Sequence, residues 1–476
     1  MALGRPSVNR ILISIVIGSG VLMSTISQGS LNISLPEIAK EFDVDLTVVQ
    51  WLSLSYSIGV ISLVLSFSRL ADIFGRRKFY LLGYAIFASG SLLSSLMPDL
   101  WMIVAARFYQ SIGAALVQST GVALLVATFP ENRRGQALGI NATFVTGGIL
   151  LGPIVGGIVT ELVSWRANFY LPVPIAIAAI FGGWKFIQEH PEKSSSKFNW
   201  LGSILLILSI APLIFALNQI SHSGWAHPRV LSALIIFSAS TTMFYMSQTR
   251  SAYPLIDFSI FKLRPFSLSL GIALLANMAR SSTQLLVPFL LQLAIGVPIH
   301  HAGMMMAIIP LGAMSISLVG GWMSDFWGPR LPSTGGLTLI SIGMITLGFI
   351  DSEASYLHIS LPLLMLGIGQ GLFMSSNSSS IMGSLPRNKL AIAGGFNVWS
   401  RTFGTGLGHA VWGGVFAAIV TANADVQTAL NAEVEHLMYG FKIVFICGAA
   451  TTVLAALLAA TRGKTVTPRA IPPANR

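Results

Sequence analysis

Residues Leu100–Gln118 read LWMIVAARFYQSIGAALVQ. The stretch is apolar enough to cross a bilayer as a helix, yet it carries Arg107 in its interior. Gln110 and Gln118 follow at spacings that put all three polar side chains on one helical face. An arginine on a spanning helix is costly, so it faces a bundle interior or a watery cavity and marks a pathway. The function of the chain turns on what Arg107 pairs with.

Of the 476 residues, 53% are hydrophobic and 9% are charged. That balance cannot supply both the core and the surface of a soluble globule, so an all-α integral membrane protein is expected. A helical span needs about 20 apolar residues. Fourteen such runs fit between short polar loops, from roughly 11–35 to roughly 439–461, with 266–296 and 300–323 as the ninth and tenth. The alternation of a membrane β-barrel is not visible. The first run continues to Pro36 without a small-residue cleavage site and is expected to remain as helix 1. The single cysteine, Cys447, excludes an internal disulfide, and no Cys/His cluster has metal-ligand spacing, so neither a metal nor a cofactor is expected.

The formal charge of +11 is distributed by topology, which argues against nucleic acid as a partner. One set of loops and tails holds Arg10, Arg69, Arg76, Arg77, Lys78, Arg264 and Arg330 among many others, whereas the opposite set holds only Lys40, Arg166, Arg229 and Lys442. By the positive-inside rule both termini are expected in the cytoplasm.

The loop after helix 2, Ser68–Phe79, reads SRLADIFGRRKF. Asp72 is followed by Gly75 for a tight turn and then by Arg76, Arg77 and Lys78, so a carboxylate stands beside cations able to make charge-assisted bonds. After helix 10 the same order recurs in Asp325, Gly328 and Arg330. A repeat offset by eight helices fits two six-helix halves, 1–197 and 251–476, separated by two inserted helices in 198–250.

The Asp72–Lys78 loop, the Arg107/Gln110 pair in helix 4, and Gly148, Gly152, Pro153, Gly156 and Gly157 in helix 5 together resemble the major facilitator superfamily. Fourteen spans, WRANFYLPVP (Trp165–Pro174) and PLIDFSIFKLRPF (Pro254–Phe266) resemble its drug:proton antiporter branch. The resemblance implies a monomeric secondary transporter of the cytoplasmic membrane, exporting a small molecule by rocking two halves around a midplane site with protons as coupling ion. It further implies a latch built on Arg69, Asp72, Gly75, Arg76, Arg77 and Lys78, with Asp325 and Arg330 as its repeat. Small residues in helix 5 allow close helix approach, and Pro153 loosens the backbone ladder.

The chain departs from the family where coupling matters. The family's first-helix pattern has a carboxylate where this sequence has Ser27, although Asn32 and Pro36 match. All seventeen acids fall in loops or near span ends, so no buried carboxylate is expected to load a proton. Three arginines remain within spans: Arg107, Arg280 and Arg401. An electropositive cavity would favour an anionic or polar substrate, whereas arginines satisfied by helix carbonyls or amides such as Gln284, Gln292 and Asn397 would be structural. His409, eight residues after Arg401, is the histidine within a span, with carrier and structural readings both open.

Two alternatives stand beside a proton-linked exporter. One is a transporter of anionic or zwitterionic metabolites with altered or no proton coupling; the other is a non-transporting substrate sensor. An enzyme is not expected, because paired intramembrane acids, an HExxH and a Cys/His pair are all missing. Either Arg107 is neutralised by backbone and amide groups, or its counter-ion is the substrate.

Overall fold

The computed structural model describes residues 5–129, 134–187, 198–251, 254–385, 390–424 and 429–462. The acids Glu131, Glu189, Glu192 and Asp425 lie outside them. The chain is a helical bundle: α1 (Arg5–Phe42), α2 (Leu46–Val49), α3 (Trp51–Phe74), α4 (Arg76–Leu96), α5 (Leu100–Thr128), α6 (Arg134–Leu162), α7 (Pro172–Phe186), α8 (Trp200–Ser223), α9 (Pro228–Arg250), α10 (Arg264–Phe289), α11 (Ile299–Met306), α12 (Ile308–Trp327), α13 (Arg330–Gly348), α14 (Tyr356–Gly383), α15 (Leu390–Ala424) and α16 (Val434–Ala460). Among the described residues there is no strand.

Among the described residues, thirteen helical segments are long and apolar enough to cross a membrane. The expected span missing from that set is α10, whose length of 26 residues suffices but whose sequence includes Arg264, Asn277, Arg280 and Gln284. Three boundaries also differ from expectation. Helix α1 does not end at Pro36 but runs through it to Phe42, held there by Glu41 side-chain bonds to Trp165 and Arg166. The ninth run ends as a π-turn, Leu290–Ala294, just after Pro288 removes a backbone donor. The tenth run is two helices, α11 and α12, broken at Ala307 with Pro310 in the first turn of α12.

Helix pairs approach through glycine, because lipid-embedded helices gain most from close van der Waals packing. A Cβ on Gly152 would lie 2.9 Å from Gly29 Cα, and one on Gly156 would lie 2.4 Å from Ser30 Cα, which sets α6 directly on α1. In α14, a Cβ on Gly367 would come 2.3 Å from the Ile309 carbonyl of α12. Helices α1 and α3–α7 pack on one another; α10 packs on α15 and α16, and α12 and α13 pack on α14. The α8/α9 pair sits beside them, with α8 against both α3 and α15.

Candidate functional site

Arg107 is fully buried in α5, and every guanidinium nitrogen is engaged. Its Nε donates to the Leu52 carbonyl at 3.3 Å, its Nη1 to Ser27 Oγ at 3.2 Å and to Gln110 Oε1, and its Nη2 to Gln28 Oε1. The guanidinium also lies 4.6 Å from the Tyr56 ring centroid, in cation–π contact. Gln110 Nε2 donates onward to Ser91 Oγ at 3.0 Å, and Ser91 Oγ donates to the Phe169 carbonyl at 2.7 Å. Asn32 stands apart, accepting from Ser53 Oγ at 3.0 Å. The charge is met by amides, a hydroxyl and a carbonyl, with no carboxylate among the described partners.

A second basic cluster joins α10 and α15. Arg280 donates from Nη1 to Gln284 Oε1 at 3.1 Å and from Nη2 to Thr405 Oγ1 at 3.2 Å, while its Nε has no acceptor. Thr405 lies one turn from Arg401 and one turn from His409, so those side chains share a face of α15. Arg401 is half-buried; its carbonyl accepts from Thr405 Oγ1 at 2.9 Å, and its guanidinium has no hydrogen bond or ion pair among the described residues. His409 is buried with both ring nitrogens unpartnered.

Early and late helices are tied together where α1 and α6 end and α11 begins. Gln292 Nε2 donates to the Ile33 carbonyl at 2.9 Å, and the Ala429 amide donates to Asp45 Oδ1 at 3.1 Å. Glu161 accepts from the His300 amide at 3.1 Å and pairs with His300 Nδ1. A Cβ on Gly157 would lie 2.7 Å from the Ile299 carbonyl, and one on Gly303 would lie 2.3 Å from the Pro153 carbonyl. The glycines 148, 152 and 156 thus face α1, whereas Gly157 faces the late helices; a Cβ on Gly148 would lie 1.8 Å from Thr25 Oγ1.

At the opposite end Gly75 turns the chain between α3 and α4 with φ 111°, a conformation glycine tolerates best. Asp72 Oδ1 accepts from Arg76 Nε at 2.8 Å within the same turn, and Arg77 Nη2 donates to the Trp184 carbonyl at 2.5 Å. Arg69 is half-buried, and Lys78, Asp325 and Arg330 are exposed. Sequence reasoning missed Gln28, the Glu161/His300 pair and Asp45 as linking residues. Only Gln28 left a signal, as an amide beside Ser27 within an apolar run.

The Major Facilitator Superfamily family model matches residues 17–408. A riboflavin transporter of Clostridioides difficile is 29% identical over 89% of this chain and 92% of its own. A multidrug resistance protein of Mycobacterium tuberculosis is 28% identical over 87% of this chain and 78% of its own, and a multidrug efflux pump of Mycolicibacterium smegmatis is 27% identical over 88% and 83%. A solved POT family transporter in complex with 5-aminolevulinic acid superposes with a TM-score of 0.69, covering 96% of both chains at 14% identity, a likeness of fold.

Proposed function

Because the chain belongs to the major facilitator superfamily, a family of multi-pass transporters rather than enzymes, we propose that it exports a small molecule, drug-like compound or metabolite, by rocker-switch alternating access. The observation that carries this reading is the placement of the links between early and late helices. Ile33–Gln292, Asp45–Ala429 and Glu161–His300 gather at one end. With the termini in the cytoplasm that end is the outer one, and the molecule is closed outward and ready to load from within. Export is the direction named for one of the relatives, the multidrug efflux pump.

In this reading α10 is the fourteenth span, tolerated despite Arg280 because its polar side face meets α15 rather than lipid. The halves are 1–197 and 251–476, with 198–250 as the inserted pair, and the Asp72–Lys78 loop with its repeat at Asp325 and Arg330 is the inner latch. Protons are the coupling ion that the family resemblance implies. A second reading, transport with altered or no proton coupling, is favoured by one observation: the described acids lie at helix ends, and none partners Arg107.

Reconstitution of the full chain in proteoliposomes tests the proposal. Efflux of at least one compound from a panel of charged and neutral metabolites, riboflavin included, is expected, with loss of flux when Gly157 is replaced by Leu. Saturable binding without flux for every compound would overturn export and leave a sensor.

A further inference from the structure

We propose that the exported molecule is a small organic anion and that its charged group docks on Arg280 and Arg401 beside His409, not on Arg107. The inference rests on the exporter reading and deepens it. Its basis is a contrast between two basic sites in one chain, one fully buried and one half-buried. Arg107 is sealed, and each of its nitrogens already has an acceptor, so it offers an incoming anion neither a free donor nor a path. The α10/α15 site differs: Arg280 and Arg401 are only half-buried, the Arg401 guanidinium has no partner among the described residues, Arg280 Nε has no acceptor, and neither His409 nitrogen is bonded.

Whichever tautomer His409 adopts, one ring nitrogen is a donor without an acceptor. Arg280 Nη2 reaches Thr405 Oγ1, one turn of α15 from both Arg401 and His409, which gathers the three basic side chains, and the side-chain partners of Arg280, Gln284 and Thr405, are neutral. Two like charges held together with no counter-charge are unfavourable in a low-dielectric interior. A carboxylate or phosphate between them would relieve the repulsion and accept from the open donors, and the forked guanidinium geometry suits those groups bidentately. A substrate is one source of such a group; an anionic lipid headgroup or a resident inorganic ion is another.

The test uses the purified full chain with benzoate, inorganic phosphate, phosphatidylglycerol vesicles and tetraethylammonium as probes, read by isothermal calorimetry. Benzoate is expected to bind saturably and tetraethylammonium not at all. Arg280→Gln and Arg401→Gln are each expected to weaken benzoate binding by about tenfold or more, the loss of one charge-assisted bond. Arg280→Lys, which keeps charge and fold but not the fork, should fall between, and Arg229→Gln, an exposed cation, should bind as the parent does. Benzoate affinity unchanged in both glutamine variants would overturn the proposal. So would phosphate or phosphatidylglycerol binding that benzoate cannot displace, which identifies a resident ion or a lipid. Because binding is read without flux, anion binding with no transport of any compound would fail the exporter reading alone, while transport of neutral or cationic compounds unaffected by Arg401→Gln would fail this inference alone.

Discussion

Gly157→Ala isolates the outer closure from the packing of α6 on α1. The new Cβ would stand 2.7 Å from the Ile299 carbonyl and 3.2 Å from His300 Cα. That is short of ordinary contact by roughly 0.7 Å at a backbone atom that cannot rotate away, and overpacking by one methyl group costs about 1–3 kcal/mol. In the proposed cycle α11 is met only while the outer end is closed, so the penalty falls on that state alone. A bias of that size shifts the two-state ratio about 5- to 150-fold toward outward opening. Gly156→Ala is the control, since its Cβ meets Ser30 Cα within the early helices and so burdens both states. Nitroxides at Val163→Cys and Asp351→Cys, both in exposed loops at the closed end, report the opening by electron–electron distance in a Cys447→Ala background. Longer distances are expected for Gly157→Ala and for Gly303→Ala, and parental distances for Gly156→Ala. Parental distances in both of the first two, or equal lengthening in all three, would refute the assignment of Gly157 to the moving interface.

Arg107→Lys is expected to lower stability by about 2 kcal/mol, because an ammonium cannot reach the acceptors that a forked guanidinium serves; an unchanged thermal unfolding midpoint in detergent would contradict the network. Glu161→Gln should loosen the outer closure, because it puts a neutral amide in place of the carboxylate that pairs with His300 Nδ1 and accepts from the His300 amide; the same nitroxide pair should report longer distances in the variant, and parental distances would count against the link. Asp72→Asn breaks a one-third-exposed i,i+4 pair with Arg76, for which about 0.5 kcal/mol is the expected stability effect. A larger fall in flux than in stability is the expected sign of a latch, and parental flux would deny it that role.

Much of this was legible in the chain itself. Helix 5 announced its packing face because Gly148, Gly152 and Gly156 recur every four residues, and the structure puts them against Thr25, Gly29 and Ser30. Arg107 was readable as an interior charge, and its pairing with Gln110 followed from i,i+3 geometry. Its engagement of both Ser27 and Gln28 was not, since adjacent helical residues point about 100° apart and only one is expected on a given face. A long forked side chain lying between them reaches both. Glu161 and His300 were unreadable for a different reason: 139 residues separate them, and each sits at a helix end where a charge needs no partner. Pro36 misled as a stop signal, because the capture of Glu41 by Arg166 and Trp165 extends α1 beyond it.

The missing carboxylate and the basic α10/α15 site bear on one another. Protonation of a group beside Arg280 and Arg401 would raise the positive charge and tighten an anion, which ties proton and anion to the same direction of travel, the opposite of antiport. An anion, however, needs no antiported proton to leave a cell whose interior is negative. One elementary charge moved across 100 mV is worth about 2.3 kcal/mol, close to a fiftyfold concentration ratio. Export of an anion by this chain is therefore expected to follow the membrane potential. In proteoliposomes, a potassium diffusion potential set with valinomycin, negative on the side of the termini, should drive anion efflux at fixed pH, and a pH gradient clamped at zero potential should add little. Efflux that tracks the pH gradient and ignores the potential would instead place the coupling on a proton carrier, for which His409 is the buried titratable side chain in the same site.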